Sequence, residues 1–216
     1  MTKFDDISSP IETRIATGFA RIATVMRSQA WERASANGVT PTQSDILALL
    51  ATRSMALRLS TIAEQLAITP ATASDAVSSL VAKGLVEKAR AVDDGRALAL
   101  ILSAAGKKML QGLSVEEGIL GEALKSLNKD DQTCLLVLMN KIIRTMQSQN
   151  DVAMARMCVT CRYFEAHKAP DKASPHYCHL IRSPFGNTHL RLDCPEHELQ
   201  ENTHLLEKNW KIFLAA

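Results

Sequence analysis

The chain has no apolar run approaching the roughly 20 residues that a membrane-spanning helix requires. Its first residues, Met1-Thr2-Lys3-Phe4-Asp5-Asp6, also lack the apolar centre of a signal peptide. These absences argue against a membrane protein and predict a cytoplasmic location. Charge of one sign is missing too. The 25 Lys and Arg nearly balance the 23 Asp and Glu, for a net charge of +2, so any nucleic-acid face must come from local clustering. No Gly-rich phosphate loop, nucleophile-base pair or paired carboxylate set stands out, and an enzyme is not expected. Aromatics are scarce, with two Trp, two Tyr and five Phe. What is present is apolar patterning: hydrophobic residues make up 46% and charged ones 22%, which excludes a disordered chain.

The patterning resolves into helices with legible ends. Ser9-Pro10-Ile11-Glu12 joins an N-cap serine, a first-turn proline and a glutamate three residues after the cap, so a helix is predicted from here to about Ala36, stopping at Asn37-Gly38. Ile11, Ile15, Phe19, Ile22 and Val25 recur at spacings of three and four and form one stripe. Thr40-Pro41-Thr42-Gln43 repeats the capping grammar for a second helix. A third is predicted from Ser60 to about Leu66, a turn at Ile68-Thr69-Pro70, and a fourth to about Lys83 with Ala73, Ala76, Val77 and Leu80 inward and Gly84 as its stop. Leu85 to Ala91 and Ala97 to Leu102 read as strands around Asp94-Gly95. Ser103 opens a long helix weakened by Gly112, Gly118 and Gly121, and Asn128 caps a last long helix to about Met157.

The order from Pro41 to Gly112 is that of a helix-turn-helix followed by a β wing. The predicted fold class is mainly α with a small β wing, plus long helices whose stripes suit a second copy of the chain. A helix presented as the fourth one is fits the major groove of duplex DNA, with Ala71, Thr72, Ser74, Asp75 and Ser78 on its outer face and first turns. Hydroxyls of Thr72, Ser74 and Ser78 can reach bases or phosphates. Lys88 and Arg90 on the wing strand suit phosphates, and an arginine on a thin hairpin, Arg96, can enter the minor groove.

The run Ile62-Ala63-Glu64-Gln65-Leu66-Ala67-Ile68-Thr69-Pro70-Ala71-Thr72-Ala73-Ser74, followed by Leu80-Val81-Ala82-Lys83-Gly84-Leu85-Val86-Glu87 and Asp94-Gly95-Arg96, resembles the MarR family of bacterial winged-helix regulators. The likeness covers residues 8 to about 150, with the DNA-reading core at 41–102. It implies a homodimer whose recognition helices enter successive major grooves of a pseudo-palindromic operator. Repression is the expected outcome of such binding, with activation the alternative. It also implies that Arg96 is the wing arginine and that Asp94 orients it. One position departs from the family: Asp75 stands where relatives often carry arginine, and near DNA it repels phosphate unless it accepts from a cytosine amino group.

Residues 151–216 form an extension of different character. Four of the five cysteines, Cys158, Cys161, Cys178 and Cys194, follow the pattern Cys-x2-Cys-x16-Cys-x15-Cys. In a cytosolic chain such clustering points to metal ligation more than to disulfides. Zinc is the commoner occupant, bound by four cysteines or by three with His197. An iron-sulfur cluster of the 4Fe-4S type is the other reading, and the spacing is similar to that of high-potential iron-sulfur proteins. Tyr163, Phe164, Tyr177 and Phe185 would give a cluster a dry shell, or a zinc-stapled lobe its core. His167, His176, His179, His189 and His197 are expected mostly at the surface or supporting the cysteine ligands from behind, Cys134 as a buried inert thiol, and Leu199, Leu206, Trp210 and Phe213 as the docking face of a terminal helix.

Two functions of different class follow. One is a dimeric regulator of double-stranded DNA, modulated by the cysteine site or by a small-molecule effector. The other is an electron carrier or protein-interaction module with a structural zinc lobe.

Overall fold

The computed structural model describes residues 8–53, 55–90, 98–111, 118–149 and 155–215. Helix α1 spans Ile11–Ala36 and α2 spans Pro41–Ala51. A two-residue strand, β1 (Leu57–Arg58), leads into α3 (Leu59–Gln65) and α4 (Pro70–Ala82). The hairpin β2 (Val86–Arg90) and β3 (Leu98–Leu102) follows, then α5 (Ala104–Leu110), α6 (Ile119–Lys125) and α7 (Lys129–Ser148). The C-terminal lobe holds β4 (Phe164–Glu165), β5 (His176–Cys178), β6 (Ser183–Phe185) and α8 (Thr203–Leu214).

Local chemistry explains most of these boundaries. Thr40 and Gln43 form the reciprocal box at the start of α2: Thr40 Oγ1 accepts the Gln43 N–H at 3.2 Å and Gln43 Oε1 accepts the Thr40 N–H at 3.3 Å. Thr69 Oγ1 accepts the Thr72 N–H at 3.1 Å, with Pro70 at the first position of α4. Gly84, at φ 70°, takes the left-handed conformation that ends α4. Replacing Thr69 with alanine is expected to destabilise the fold by about 1 kcal/mol in urea unfolding, and an unaltered midpoint would count against the cap.

The helical core forms where these elements meet. Ile46, Leu47, Ile62 and Leu80 are fully buried, with Val86, Leu100 and Leu102 of the wing sheet packed beside them. Each such side chain contributes roughly 1.5–3 kcal/mol by leaving water. The wing sheet is antiparallel in the order β1-β3-β2, so β3 is central and Leu57 lies opposite Leu100. That third strand was not legible in the sequence, because two residues carry no periodicity.

Several expectations need correction. Pro10, not Ser9, is the N-cap of α1 and makes no side-chain capping bond. Helix α3 begins at Leu59 and follows directly from β1. The long helix expected from Ser103 is two helices: Ser103 does cap the first, but α5 ends at Leu110, and a new helix starts at Ile119 after extended Gly118. The last long helix stops at Ser148, well before Met157, which is instead fully buried in the lobe.

Cys134 is exposed rather than buried. It stands four residues before Leu138 and so continues the stripe Leu138, Ile142 and Met146, which remains open to solvent. The α1 stripe is likewise uncovered, with Ile11 64% and Ile15 51% exposed. Among the described residues, both stripes therefore lack a partner within the chain. Among the described residues no helix is long and apolar enough to cross a membrane.

The lobe has its own core. Met157, Val159, Phe164, Leu190 and Phe213 are buried together, with Leu136, Val137 and Ile143 of α7 packed against them. Its sheet runs β4-β5-β6, antiparallel throughout. Phe213 stacks on Trp210 at 5.6 Å, and the half-buried Leu206 accompanies them, so α8 docks on the lobe and on α7. Leu199, expected on the same face, is 42% exposed.

Candidate nucleic-acid interface and cysteine cavity

Helix α4 turns one face inward and one outward. Ala73, Ala76, Val77 and Leu80 are buried, which fixes the helix rotation and leaves Ala71, Thr72, Asp75 and Ser78 exposed and Ser74 half-buried. The Thr72 hydroxyl lies 2.8 Å from that of Thr69, so two hydroxyls sit together at the start of the helix. At the other end the Lys83 ammonium donates to the Gly38 carbonyl at 2.7 Å and to Gln43 Oε1 at 3.0 Å, tying α4 to the α1–α2 turn.

Lys88 and Arg90 are exposed on β2, where alternation places them on one face opposite Leu100 and Leu98. The wing tip, with Asp94 and Arg96, lies outside the described residues. The base of the wing is anchored by Ser103, whose Oγ donates to the Gly84 carbonyl at 2.7 Å and accepts the Gly106 N–H at 3.0 Å. The winged helix thus presents an outward helix face and, on β2, two exposed cations.

In the lobe, Cys158, Cys161, Cys178 and Cys194 line one cavity of about 800 Å³, together with Tyr163, Phe164 and Phe185. They arrive from three segments: a 3₁₀ turn at Cys158–Thr160 with its following residue, the end of β5, and the loop before Glu196. Cys178 lies opposite Phe164 in the β4–β5 register. The Arg191 N–H donates to Cys158 Sγ at 3.3 Å, and the Arg191 guanidinium approaches Cys194 Sγ at 3.6 Å. Burial pushes the Cys158 thiol up to about 11 and raises Cys161 as well. Among the described residues no three His, Cys, Asp or Glu side chains are placed to hold one metal ion.

The histidines divide. His197 directs its Nε2 at Thr160 Oγ1, 3.0 Å away, and is absent from the cavity lining. His176 departs from the expected surface position: it is fully buried, in ring contact with Phe164, Phe185 and Phe213. Its Nδ1 accepts the His167 N–H, so the proton resides on Nε2, which donates to Asn187 Oδ1 at 2.7 Å. Burial lowers its pKa, and the ring serves as a polar member of an aromatic core.

Sequence reasoning missed the tie between the two parts of the chain. The Arg53 guanidinium, with 9% of its side chain exposed, donates from one nitrogen to both carboxylate oxygens of Asp193, each at 3.0 Å. Its other terminal nitrogen donates to Gln65 Oε1 of α3 at 2.8 Å. A contact across 140 positions leaves no local signal.

Comparison with known proteins agrees with the fold. Residues 37–97 match the model of the MarR family, a stretch shorter than half of the chain. The transcriptional regulator BldR from Sulfolobus solfataricus is similar, at 21% identity and a TM-score of 0.52 over 67% of this chain and 99% of that one. CouR from Rhodococcus jostii RHA1, solved with p-coumaroyl-CoA, has 15% identity and a TM-score of 0.52 over 65% and 94%. A MarR family transcription regulator has 14% identity and a TM-score of 0.55 over 64% and 91%. No curated protein matches. The winged-helix part of the chain therefore has the fold of the MarR regulators, and its segment 37–97 carries that family's sequence pattern.

Proposed function

We propose that the protein is a DNA-binding transcription regulator that acts as a homodimeric repressor on a pseudo-palindromic operator. The observation that carries this is the exposed outer face of α4, with Thr72, Asp75 and Ser78, together with the exposed Lys88 and Arg90 on β2 of the wing. Ala71, Thr72, Ser74 and Ser78 would meet bases and phosphates in the major groove. Asp75 would favour a base pair presenting a cytosine amino group. Arg96, oriented by Asp94, would enter the adjacent minor groove. The unpartnered stripes of α1 and α7 would bury each other across a two-fold axis. A small-molecule effector belongs to the same proposal, since CouR, a protein of like fold, was solved with p-coumaroyl-CoA bound.

Lys88→Ala and Arg90→Ala are each expected to weaken binding to all duplexes alike and to reduce the slope of log affinity against log salt by about one. Arg96→Ala should weaken operator binding selectively. Unchanged affinity of the Arg96 variant in a gel-shift titration would refute its role.

A further inference from the structure

The four cysteines stand around a space rather than about a point. A zinc ion needs its ligands converged at sulfur distances of roughly 2.3 Å, yet among the described residues no three candidate ligands are so placed. His197, the substitute fourth ligand, is turned to Thr160. The cavity, about 800 Å³, is on the scale of a cofactor. Two sulfurs already receive donors from Arg191, and Tyr163, Phe164 and Phe185 supply an apolar wall. Donors to sulfur and a dry wall are the means by which a protein holds and tunes an iron-sulfur cluster.

The loop that carries Cys194 is rigidly tied in. The Cys194 N–H donates to the Arg156 carbonyl at 2.9 Å, and the Arg156 guanidinium donates to the Pro195 carbonyl. The residue before it, Asp193, is clamped by Arg53, which also holds Gln65 of α3. Helix α3 packs on α4. A group that fixes Cys194 thereby fixes the support of the outward helix.

We propose that Cys158, Cys161, Cys178 and Cys194 ligate a 4Fe-4S cluster, and that Asp193 and Arg53 transmit its occupancy to α3 and α4. The significance of the second clause for regulation rests on the DNA-binding reading of α4. Loading from a preformed, thiolate-ligated cluster is a ligand exchange. Four Fe–S bonds to the donor thiolates break and four to the cysteines form. The four cysteine protons pass to the departing thiolates, and no electron changes hands. An occupied site biases the helix pair toward one placement; an empty site releases it.

The test uses the full chain, prepared without oxygen and treated with a synthetic 4Fe-4S cluster ligated by 2-mercaptoethanol. The expected product is brown and retains about four iron and four sulfide per chain after desalting. Cys161→Ala and Cys178→Ala should retain less than about a tenth of that, while their far-ultraviolet circular dichroism shows the helices intact. A chain that retains no iron, or that carries one colourless zinc instead, would overturn the site. For the coupling, amide hydrogen exchange in residues 59–66 should slow about tenfold on loading. Arg53→Gln should keep the iron but lose that slowing. Equal exchange in the loaded and empty wild-type chain would overturn the transmission. Neither readout involves DNA, so a failure to bind duplex would count against the regulator reading alone.

Discussion

Gly106→Ala is expected to destabilise the winged-helix core by about 3 kcal/mol or more, at the upper end of what overpacking costs. A β-carbon at this position would lie 2.2 Å from the Leu85 carbonyl oxygen and 2.7 Å from a Leu102 methyl. The leucine methyl can move, but the backbone oxygen cannot do so cheaply. It accepts the Ser103 N–H at 3.1 Å and belongs to the segment that joins α4 to the wing. Ser103 in turn bridges the Gly84 carbonyl and the Gly106 N–H. The added methyl therefore prises α5 from the base of the hairpin, and the wing should lose its register with α4. Urea unfolding should show the midpoint falling with little change in slope. A midpoint equal to that of the wild type would mean that α5 does not sit as closely on the hairpin as described.

The second large effect concerns assembly. The double variant Ile15→Asp with Ile22→Asp should convert a dimer into a monomer and lower affinity for a two-half-site duplex by about 100-fold or more. Ile15 and Ile22 are 51% and 44% exposed, on a stripe that also carries Ile11, Phe19 and Val25. Both residues are exposed in the single chain, so circular dichroism and unfolding of the variant should stay near those of the wild type. The loss of affinity would come from the second half-site, which a linked pair of helices binds at high effective concentration. Sedimentation that still reports a dimer would move the interface elsewhere on the molecule.

These effects differ in how far the sequence announces them. Thr40, Thr69 and Gly84 act through bonds and backbone angles within a few residues, so α2, α4 and the stop of α4 were legible as letters. The inward face of α4 was also legible, because Ala73, Ala76, Val77 and Leu80 repeat with the helix period. What escaped depends on contacts between distant segments. Leu57 and Arg58 become a strand only because β3 offers its edge. Cys134 is exposed because the rotation of α7 is set by Leu136, Val137 and Ile143 meeting the lobe. His176 is buried because three phenylalanines close over it while Asn187 satisfies its N–H. The Arg53 to Asp193 clamp is of the same kind. For the candidate site, the cysteine spacing marked a shared purpose, but their arrangement around one cavity required the three-dimensional path of the lobe.

In the proposed function, α4 is a rod that two copies of the chain insert into neighbouring grooves. In vitro selection by the full-length dimer from a pool of random duplexes tests it most directly. The expected result is enrichment of one motif with two inverted half-sites, their centres about 10–10.5 base pairs apart. A pool that remains random after repeated rounds, with the protein folded and dimeric, would contradict the assignment of α4 as a DNA-reading helix.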